Sequence, residues 1–419
     1  MLQTAQSQYL FMLPLPLSAP GLRARLGGIA VSRTDAALNP AGENTLLRIK
    51  RPPYVLPNPI YLFKQGILPQ LFEHGLTEYE FLAELDSLTA PEHVLPVCFG
   101  FKYLYYTDAL SLRCFKLPQL FKQRDLLDLK VVLQAARLFG TLHQLKAADC
   151  ASLNGAEKAL QLHVNGSKLA DRAKGLALLL TALKRSDNAI LSFCLKGRAE
   201  RERRLAQSLQ DGRTLIACDG SQFYLLRTME FAAGASTAKV LRCSPDLSLD
   251  VTDLQLCEPQ LIAPASILTK ERQQRLHLDL EKAQTLLNEA FASGKDAAGE
   301  ALSVHPAPTL FDKFRARLTD KEFELFLKIG TLNPQLLPRL PLWTSPFFKE
   351  LYFLYQADNF RESLISAELE RYVRFCRTQF ARQAGQYMAE AKTAASLLPE
   401  DDEQASRLLY DIVNYPSTL

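Results

Sequence analysis

The amino-acid sequence predicts an α+β protein with more than one domain. Its 419 residues exceed the roughly 250–300 residues at which a single hydrophobic core stops growing. Strand-like segments rich in β-branched and aromatic residues lie in the first two thirds of the chain, and long helical periodicities fill the last part. With 47% hydrophobic and 22% charged residues, the composition is that of an ordinary globular protein.

The first 118 residues are predicted to form two strands, a helix and a hairpin. Residues 1–41 are punctuated by Pro, Ala and Gly and are interpreted as an N-terminal extension. Residues 42–66 predict two short strands, which the turn PPYVLPNP joins. A helix follows, because Thr77 and Glu80 have the spacing of a capping box. Residues 93–118 are rich in β-branched and aromatic residues and predict a hairpin.

The rest of the chain is predicted as a helix, a β-rich insert and a helical region. Residues 124–145 have the periodicity of a strongly amphipathic helix. Within the insert, the Asp219-Gly220 dipeptide between two apolar runs is a strong hairpin signal. Residues 270–293 then predict a helix, residues 294–308 a linker, and residues 309–419 an almost wholly helical region.

Charge, cysteine content and hydropathy narrow the functional classes. A net charge of +4 is too small to indicate a nucleic-acid partner by itself, since such binding needs a concentrated basic face. The eight cysteines form no CxxC pair and are interpreted as reduced core thiols. No apolar run is long enough to predict a membrane-spanning helix. A cytoplasmic location is therefore expected.

The segment CASLNGAEKALQLHVNGSKLADRAKG, at residues 150–175, is similar to a phosphotransferase active-site loop. Together with the preceding helix ARLFGTLHQL, it resembles the bacterial lipopolysaccharide-core and Kdo kinase family. The tripeptide SLN stands at the D-L-N position of that family's loop, H-x-D-L-N-x-x-N-I-L. FKLPQL, at residues 115–120, resembles the family's hinge. The similarity covers about residues 42–210.

The resemblance implies a particular domain organisation. A protein-kinase-like two-lobed domain would follow the N-terminal extension and precede a β-rich insert and a mostly helical C-terminal region. The implied ranges are 42–118 for the N-lobe, 119–212 for the helical lobe, 213–293 for the hairpin-rich insert with its helix, and 309–419 for the helical C-terminal domain.

The resemblance also implies a site for ATP and Mg²⁺. Lys64 would pair the nucleotide phosphates, and Glu80 would be its helix partner, with Glu84 as an alternative. Asp171 would bind the metal, because a carboxylate must hold the Mg²⁺ that bridges the phosphates. Glu80 could instead serve only as the capping-box acid.

The catalytic positions of this implied site depart from the family pattern. Ser152 stands where the family has its catalytic Asp, and a hydroxyl without a neighbouring base cannot accept a proton near neutral pH. In an offset register, Asp149 is the base and Asn154 is a metal ligand. No GxGxxG loop is present. The sequence therefore predicts a degenerate kinase, that is, a pseudokinase or a weak kinase.

Three functions are compatible with these patterns. The first is a pseudokinase that binds another protein through its helical C-terminal region, at or near the cell envelope, in the cytoplasm or peripherally at the inner membrane. The second is an active Mg-ATP-dependent kinase that uses Asp149 on a saccharide or lipopolysaccharide acceptor. The third is a helical adaptor or nucleic-acid-associated assembly protein.

Two basic helices bear on the choice of partner. The run from Lys196 to Arg204 is interpreted as a solvated face, although it could contact lipid head groups or phosphorylated saccharide. The interleaved arginines and aromatic residues between Arg371 and Arg382 could stack bases. They are also what a buried aromatic stripe with snorkelling arginines would give. Nucleic acid is therefore expected to be an unlikely partner.

Overall fold

The computed structural model describes residues 8–19, 21–91, 93–118, 125–164, 169–220, 222–232, 235, 237–293, 309–333, 337, 339–398 and 402–418. Within these ranges the chain forms two five-stranded sheets surrounded by helices. The α+β class predicted from the sequence is confirmed. No helix in the described ranges is long and apolar enough to cross a membrane. The predicted linker at residues 294–308 lies outside the described residues.

The first sheet is mixed and has the strand order β3-β2-β1-β4-β5. Strand β1 runs antiparallel to β2 and parallel to β4, while β5 is parallel to β4. Strand β3 is antiparallel to β2. The strands are β1 (Gln8–Pro16), β2 (Leu26–Asp35), β3 (Thr45–Arg48), β4 (Val94–Cys98) and β5 (Leu127–Asp128).

Helices cover both faces of this sheet, because alternate side chains of β1 point to opposite faces. Met12 belongs to the core that contains Phe81 and Leu110, and Phe11 belongs to the core that contains Leu133 and Leu180. The helices that precede the second sheet in the chain are α1 (Pro59–Gln65), α2 (Glu78–Thr89), α3 (Tyr106–Arg113), α4 (Leu129–Phe139), α5 (Leu153–Ala159), α6 (Ala173–Ser186), α7 (Asn188–Cys194) and α8 (Gly197–Asp211), of which α8 packs on the second sheet.

The second sheet is antiparallel, in the order β10-β6-β7-β8-β9. Its first hairpin turns at Asp219-Gly220, where Gly220 has a φ of 84°. The Asp219-Gly220 prediction is thereby confirmed. The elements are β6 (Leu215–Cys218), β7 (Phe223–Glu230), β8 (Thr237–Cys243), β9 (Leu249–Gln255) and β10 (Leu261–Pro264), followed by α9 (Lys270–Arg275) and α10 (Leu280–Ser293).

The last part of the chain is helical, as predicted, and it packs back on the first sheet unit. The buried ring of Phe115 lies 5.1 Å from that of Phe326 and 5.6 Å from that of Phe348. The helices are α11 (Leu310–Arg315), α12 (Asp320–Thr331), α13 (Pro346–Asn359), α14 (Ser366–Ala395) and α15 (Glu403–Asn414).

Several local predictions for the first half are wrong. Residues 1–41, interpreted as an extension, contribute the central strand β1 and strand β2. Lys64 lies in helix α1 and not at the end of a strand, because Asn58 caps the segment and Pro59 begins it. The predicted hairpin at residues 93–118 is one strand, a short 3-10 turn and helix α3. The capping-box helix at Thr77 is confirmed as α2.

The predicted catalytic segment also folds differently. Residues 153–159 form helix α5, where the resemblance had implied a loop leading into a strand. The two-lobed kinase-like arrangement is wrong, because β1, the middle strand of the sheet, comes from the residues placed outside the lobes. As domain boundaries, the ranges 42–118, 119–212, 213–293 and 309–419 stay predictions.

Candidate functional site

The strand order of the first sheet reverses between β1 and β4. The chain leaves β1 on one side to form β2 and β3, and it returns on the other side to form β4 and β5. In open sheets with parallel strands, ligands bind in the crevice outside the carboxyl ends of the strands at such a switch point. Pairing of β1 with β4 stops at Phe11, although β1 continues to Pro16. We call the region bordered by residues 13–18 and 99–106 the switch-point crevice.

Strand β1 brings only apolar side chains to the switch-point crevice. It contributes Met12, Leu13, Pro14 and Leu15, and Met12 is fully buried. No acidic residue precedes Asp35 in the sequence. The strand therefore offers no carboxylate to a metal ion or to a reacting water.

One buried carboxylate, Asp128, lies at the carboxyl end of β5. One oxygen accepts the backbone N–H groups of Gly100 and Lys130 at 2.8 and 2.9 Å, and the other accepts that of Phe101 at 2.8 Å. Burial raises the pKa of Asp128, while these three hydrogen bonds oppose the rise. Asp128 thus fixes the backbone after β4 and caps α4, which is a structural role.

The phenols of Tyr61 and Tyr103 lie close enough to Tyr106 to interact with it electrostatically, and we call these three residues the tyrosine cluster. The buried Tyr106 donates its hydroxyl to the Ser18 carbonyl, 2.7 Å away, just beyond β1. Burial raises the pKa of Tyr106, and the neighbouring phenols of Tyr61 and Tyr103 add to the rise. Tyr103 is 51% exposed, whereas Tyr106 is 3% exposed. The cluster therefore combines one anchored ring with one that faces solvent.

The fourth tyrosine of this segment joins the two sheet units. Tyr105 donates its hydroxyl to the carboxylate of Glu258, in the turn that follows β9. Burial raises the pKa of Tyr105, and the Glu258 charge adds to it. Burial also raises the pKa of Glu258. This carboxylate is therefore engaged in a contact that holds the second sheet against the crevice.

Two exposed lysines are close in sequence to residues of the tyrosine cluster. Lys102 is exposed and precedes Tyr103 in the chain. Lys64 is exposed in the last turn of α1, three residues after Tyr61, and residues three apart are neighbours on a helix surface. The Arg172 guanidinium lies beside Gly66, 3.5 Å from where a Cβ would stand. Positive charge is therefore available near the exposed rings.

The described residues hold no group of three or more His, Cys, Asp or Glu side chains placed to bind a metal ion. Phosphoester hydrolysis by bound metal ions needs such ligands, commonly to hold two ions about 4 Å apart. The donor set at the crevice does not fit a metal centre of that kind.

The structure gives Lys64 and Glu80 separate local surroundings. The Glu80 carboxylate accepts the backbone N–H of Thr77 at 2.8 Å, and the Thr77 hydroxyl accepts that of Glu80 at 3.2 Å. Glu80 therefore completes the capping box of α2, which was one of the two interpretations of this residue. Lys64 lies at the end of α1, where a cation is favoured by the helix dipole.

The other predicted site residues stabilise turns and helix ends. Asp149 accepts the backbone N–H of Lys146 at 2.8 Å. Ser152 caps α5 by accepting the N–H of Gly155 at 3.0 Å, and Asn154 is exposed in the first turn of that helix.

The predicted metal-binding residue Asp171 lies on another segment, just before α6. It accepts from the Asn44 amide at 2.7 Å and pairs with Lys174 at 2.9 Å. Its predicted role and those of Lys64, Glu80, Asp149, Ser152 and Asn154 stay predictions, and the kinase fold that implied them is absent.

The basic helix α8 is not the solvated face that was expected. Arg201 and Arg204 are buried and donate to the carbonyls of Leu256 and Ile262 in the second sheet unit. Burial lowers the pKa of Arg201. Arg203, by contrast, is exposed and pairs with Glu200. Part of the helix therefore fastens the second sheet to the first unit.

The arginine-rich stretch of α14 packs as an aromatic stripe. Tyr372 and Tyr387 are each 2% exposed, and the Arg371 guanidinium lies 4.3 Å from the Phe353 ring centroid. Such contacts match the structural alternative, in which arginines lie over buried rings.

A separate cavity of about 170 Å³ lies where the first sheet unit meets α13 and α14. Lys50, Arg51, Asp358 and Tyr372 are among the residues that line it. The Asp358 carboxylate accepts the hydroxyls of Tyr54 at 2.6 Å and Tyr372 at 2.7 Å. These bonds connect the two parts of the chain, so we interpret the polar groups here as structural.

Comparison with known proteins identifies the fold. No protein-family model and no curated protein sequence matches the chain. Product-bound exonuclease I matches with a TM-score of 0.78 and 17% identity over 99% of this chain and 100% of that one. E. coli exonuclease I in complex with a dA16 oligonucleotide matches with a TM-score of 0.73 and 18% identity over 98% of this chain and 99% of that one. An exonuclease I/SSB-Ct complex matches with the same TM-score, identity and coverage of both chains. The chain therefore has the fold of exonuclease I.

This similarity corrects the interpretation of the sequence. The resemblance to lipopolysaccharide kinases is wrong, and the pseudokinase and kinase functions lose their basis with it. ATP, which only that resemblance implied, loses its basis as well. The expectation that nucleic acid is an unlikely partner is wrong too, because an oligonucleotide complex is among the structures that share this fold. The envelope saccharide and lipid partners have no support in these neighbours.

Proposed function

We propose that this chain binds single-stranded DNA in the switch-point crevice. The observation that carries the proposal is the fold shared with exonuclease I over almost the whole chain, including a structure in complex with an oligonucleotide. The crevice fits this assignment because it lies where such sheets bind ligands and because the exposed ring of Tyr103 lies next in sequence to the exposed Lys102. A cytoplasmic location, expected from the sequence, is part of the proposal.

Binding without metal-dependent cleavage is the form of this function that the crevice residues favour. Hydrolysis of a phosphodiester by metal ions needs carboxylates that hold the ions. The apolar side chains of β1 cannot do so, and both oxygens of Asp128 already accept backbone N–H groups. Mg²⁺ stays a prediction, and we derive no catalytic step through it.

A DNA exonuclease is the second candidate, and the fold is the observation that favours it. The two candidates differ in one result. A binding protein leaves the oligonucleotide intact in the presence of Mg²⁺ or Mn²⁺, whereas an exonuclease shortens it from one end.

Fluorescence anisotropy with labelled oligo(dT) tests the proposal. We expect saturable binding of the single strand, weaker binding of a duplex of the same length, and an affinity that falls as salt rises. Denaturing gels of the same mixtures with Mg²⁺ or Mn²⁺ then report cleavage. Absence of saturable binding at low salt would refute the proposal, and shortening of the oligonucleotide would establish the second candidate.

A further inference from the structure

The tyrosine cluster offers an exposed aromatic ring, which a groove that binds DNA by positive charge alone would not need. One of its rings, that of Tyr103, is about half exposed to solvent. Tyr103 follows Gly100, whose backbone is left-handed with a φ of 80°. A Cβ at Gly100 would lie 3.2 Å from the Tyr103 ring. The ring therefore packs closely over a glycine, and 51% of the residue remains exposed.

The backbone that precedes Tyr103 is hydrogen-bonded to a buried carboxylate. Asp128 holds the backbone of Gly100 and Phe101 through two hydrogen bonds of 2.8 Å. Tyr106 is tied to the end of β1 by its bond to Ser18. A ring presented from a rigid segment loses little conformational entropy when a flat ligand stacks on it.

The chemistry around Tyr103 selects a flat ligand that carries negative charge. Aromatic side chains stack on any nucleobase, because every base has a π-face. Lys102 and Lys64 are exposed and close in sequence to Tyr103 and Tyr61, and such cations can neutralise phosphates. The nearby carboxylates Asp128 and Glu258 are hydrogen-bonded to the backbone and to Tyr105 respectively. This arrangement fits one or two unpaired bases with their phosphates.

We propose that Tyr103, whose ring packs over Gly100, is a stacking platform for an unpaired base of single-stranded DNA. This inference rests on the proposed function and deepens it. The platform stands at the carboxyl end of β4, beside the apolar end of β1. The crevice thus holds the strand by base stacking and without a metal ion held by carboxylates.

The test compares Tyr103→Ala with Tyr103→Phe in the full-length protein, using labelled oligo(dT) and an oligonucleotide of equal length that contains abasic sites. Tyr103→Ala should weaken oligo(dT) binding by roughly 5- to 150-fold, the range that loss of one stacked base gives. Tyr103→Phe should bind like the unchanged protein, because the ring remains. The unchanged protein should bind the abasic oligonucleotide less tightly than oligo(dT). The Tyr103→Ala variant should bind the two oligonucleotides with equal affinity.

Two controls separate stacking from charge and from misfolding. Tyr410→Ala removes another exposed tyrosine, 69% exposed on α15, and should leave binding unchanged. Lys102→Ala should lower the salt dependence of log Kd by about 1, whereas Tyr103→Ala should not alter it. Thermal unfolding confirms that each variant is folded.

The outcomes distinguish this inference from the proposed function. If the unchanged protein binds oligo(dT) and Tyr103→Ala binds it equally well, the platform is refuted and the proposed function stands. Equal affinity of the unchanged protein for oligo(dT) and the abasic strand would refute the platform too. If the unchanged protein binds no single-stranded DNA, both the platform and the proposed function are refuted.

Discussion

Glu78 is predicted to stabilise the fold strongly at neutral pH and to lose that effect in acid. Its carboxylate is 4% exposed and lies between two guanidinium groups, 2.8 Å from Arg25 and 2.6 Å from Arg113. Burial would raise the pKa of Glu78, but the charges and hydrogen bonds of Arg113 and Arg25 outweigh it and lower the pKa to about 2. This ion triplet joins the start of β2 to α2 and α3.

The magnitude follows from the pKa. The difference between the ordinary value of 4.5 and about 2 corresponds to about 3 kcal/mol of unfolding free energy. Because the folded-state pKa is lowered, this stabilisation is present above pH 4.5 and is lost as the pH falls toward 2. About 2 kcal/mol of it should be gone at pH 3.

Urea unfolding of Glu78→Gln and of the unchanged protein, at pH 7 and at pH 3, measures this effect. We expect the variant to be less stable by about 3 kcal/mol at pH 7, since breaking a buried ion pair leaves charged groups unpaired. The difference should shrink at pH 3. Glu403→Gln removes the exposed pair with Arg407 and should change the stability little at either pH. Equal stability of Glu78→Gln and the unchanged protein at pH 7, or a difference that does not change with pH, would refute the reasoning.

Four further outcomes follow from the structure. Gly100→Ala should lower the unfolding free energy by about 1 kcal/mol or more in urea titrations, because the residue has a φ of 80°, and unchanged stability would contradict this. Thr77→Ala should cost about 1 kcal/mol through loss of the α2 cap, and a stability equal to that of the unchanged protein would show that the capping box is dispensable. Asp128→Ala should cost about 2 kcal/mol, because three N–H groups lose their acceptor, and no loss in the same titration would mean that water replaces the carboxylate. Oligo(dT) affinity should be the same in EDTA as in Mg²⁺ of matched ionic strength, and metal-dependent affinity would contradict the absence of a carboxylate-held ion.

Local signals in the sequence were sufficient where short-range chemistry decides the structure. The Thr77 and Glu80 capping box and the Asp219-Gly220 turn are formed by residues within a few positions of each other. The helical C-terminal region followed from apolar periodicity over many residues. Such features need no knowledge of distant partners.

The central strand β1 was missed because its signals are unusual for a strand in the middle of a sheet. Pro14 and Pro16 suggested a broken segment, since proline cannot donate to a ladder. Beyond Phe11, however, β1 pairs only with β2, so one side of the strand is open and tolerates prolines. The glycines in residues 1–41 likewise contributed to the interpretation of this segment as an extension. Gly27 instead lies in β2 against the Phe72 ring, where a larger side chain would clash.

The site was missed for a different reason. The kinase resemblance implied acids and lysines at fixed spacing, whereas the switch-point crevice contains tyrosines and Asp128, whose carboxylate accepts backbone N–H groups. Tyr61 and Tyr106 are 45 positions apart in the sequence, and only the fold brings their phenols near each other. The YLYY run at residues 103–106 was an available signal, and it was interpreted as part of a hairpin.

Hydrogen exchange of the full-length protein with and without saturating oligo(dT) tests the central claim most directly. DNA bound in the switch-point crevice should slow hydrogen exchange in residues 99–106 and in α1. The exchange rates of those residues of α15 that do not contact α1 should stay unchanged. Unchanged exchange at residues 99–106, or protection confined to other surfaces, would contradict the assignment of DNA to this crevice.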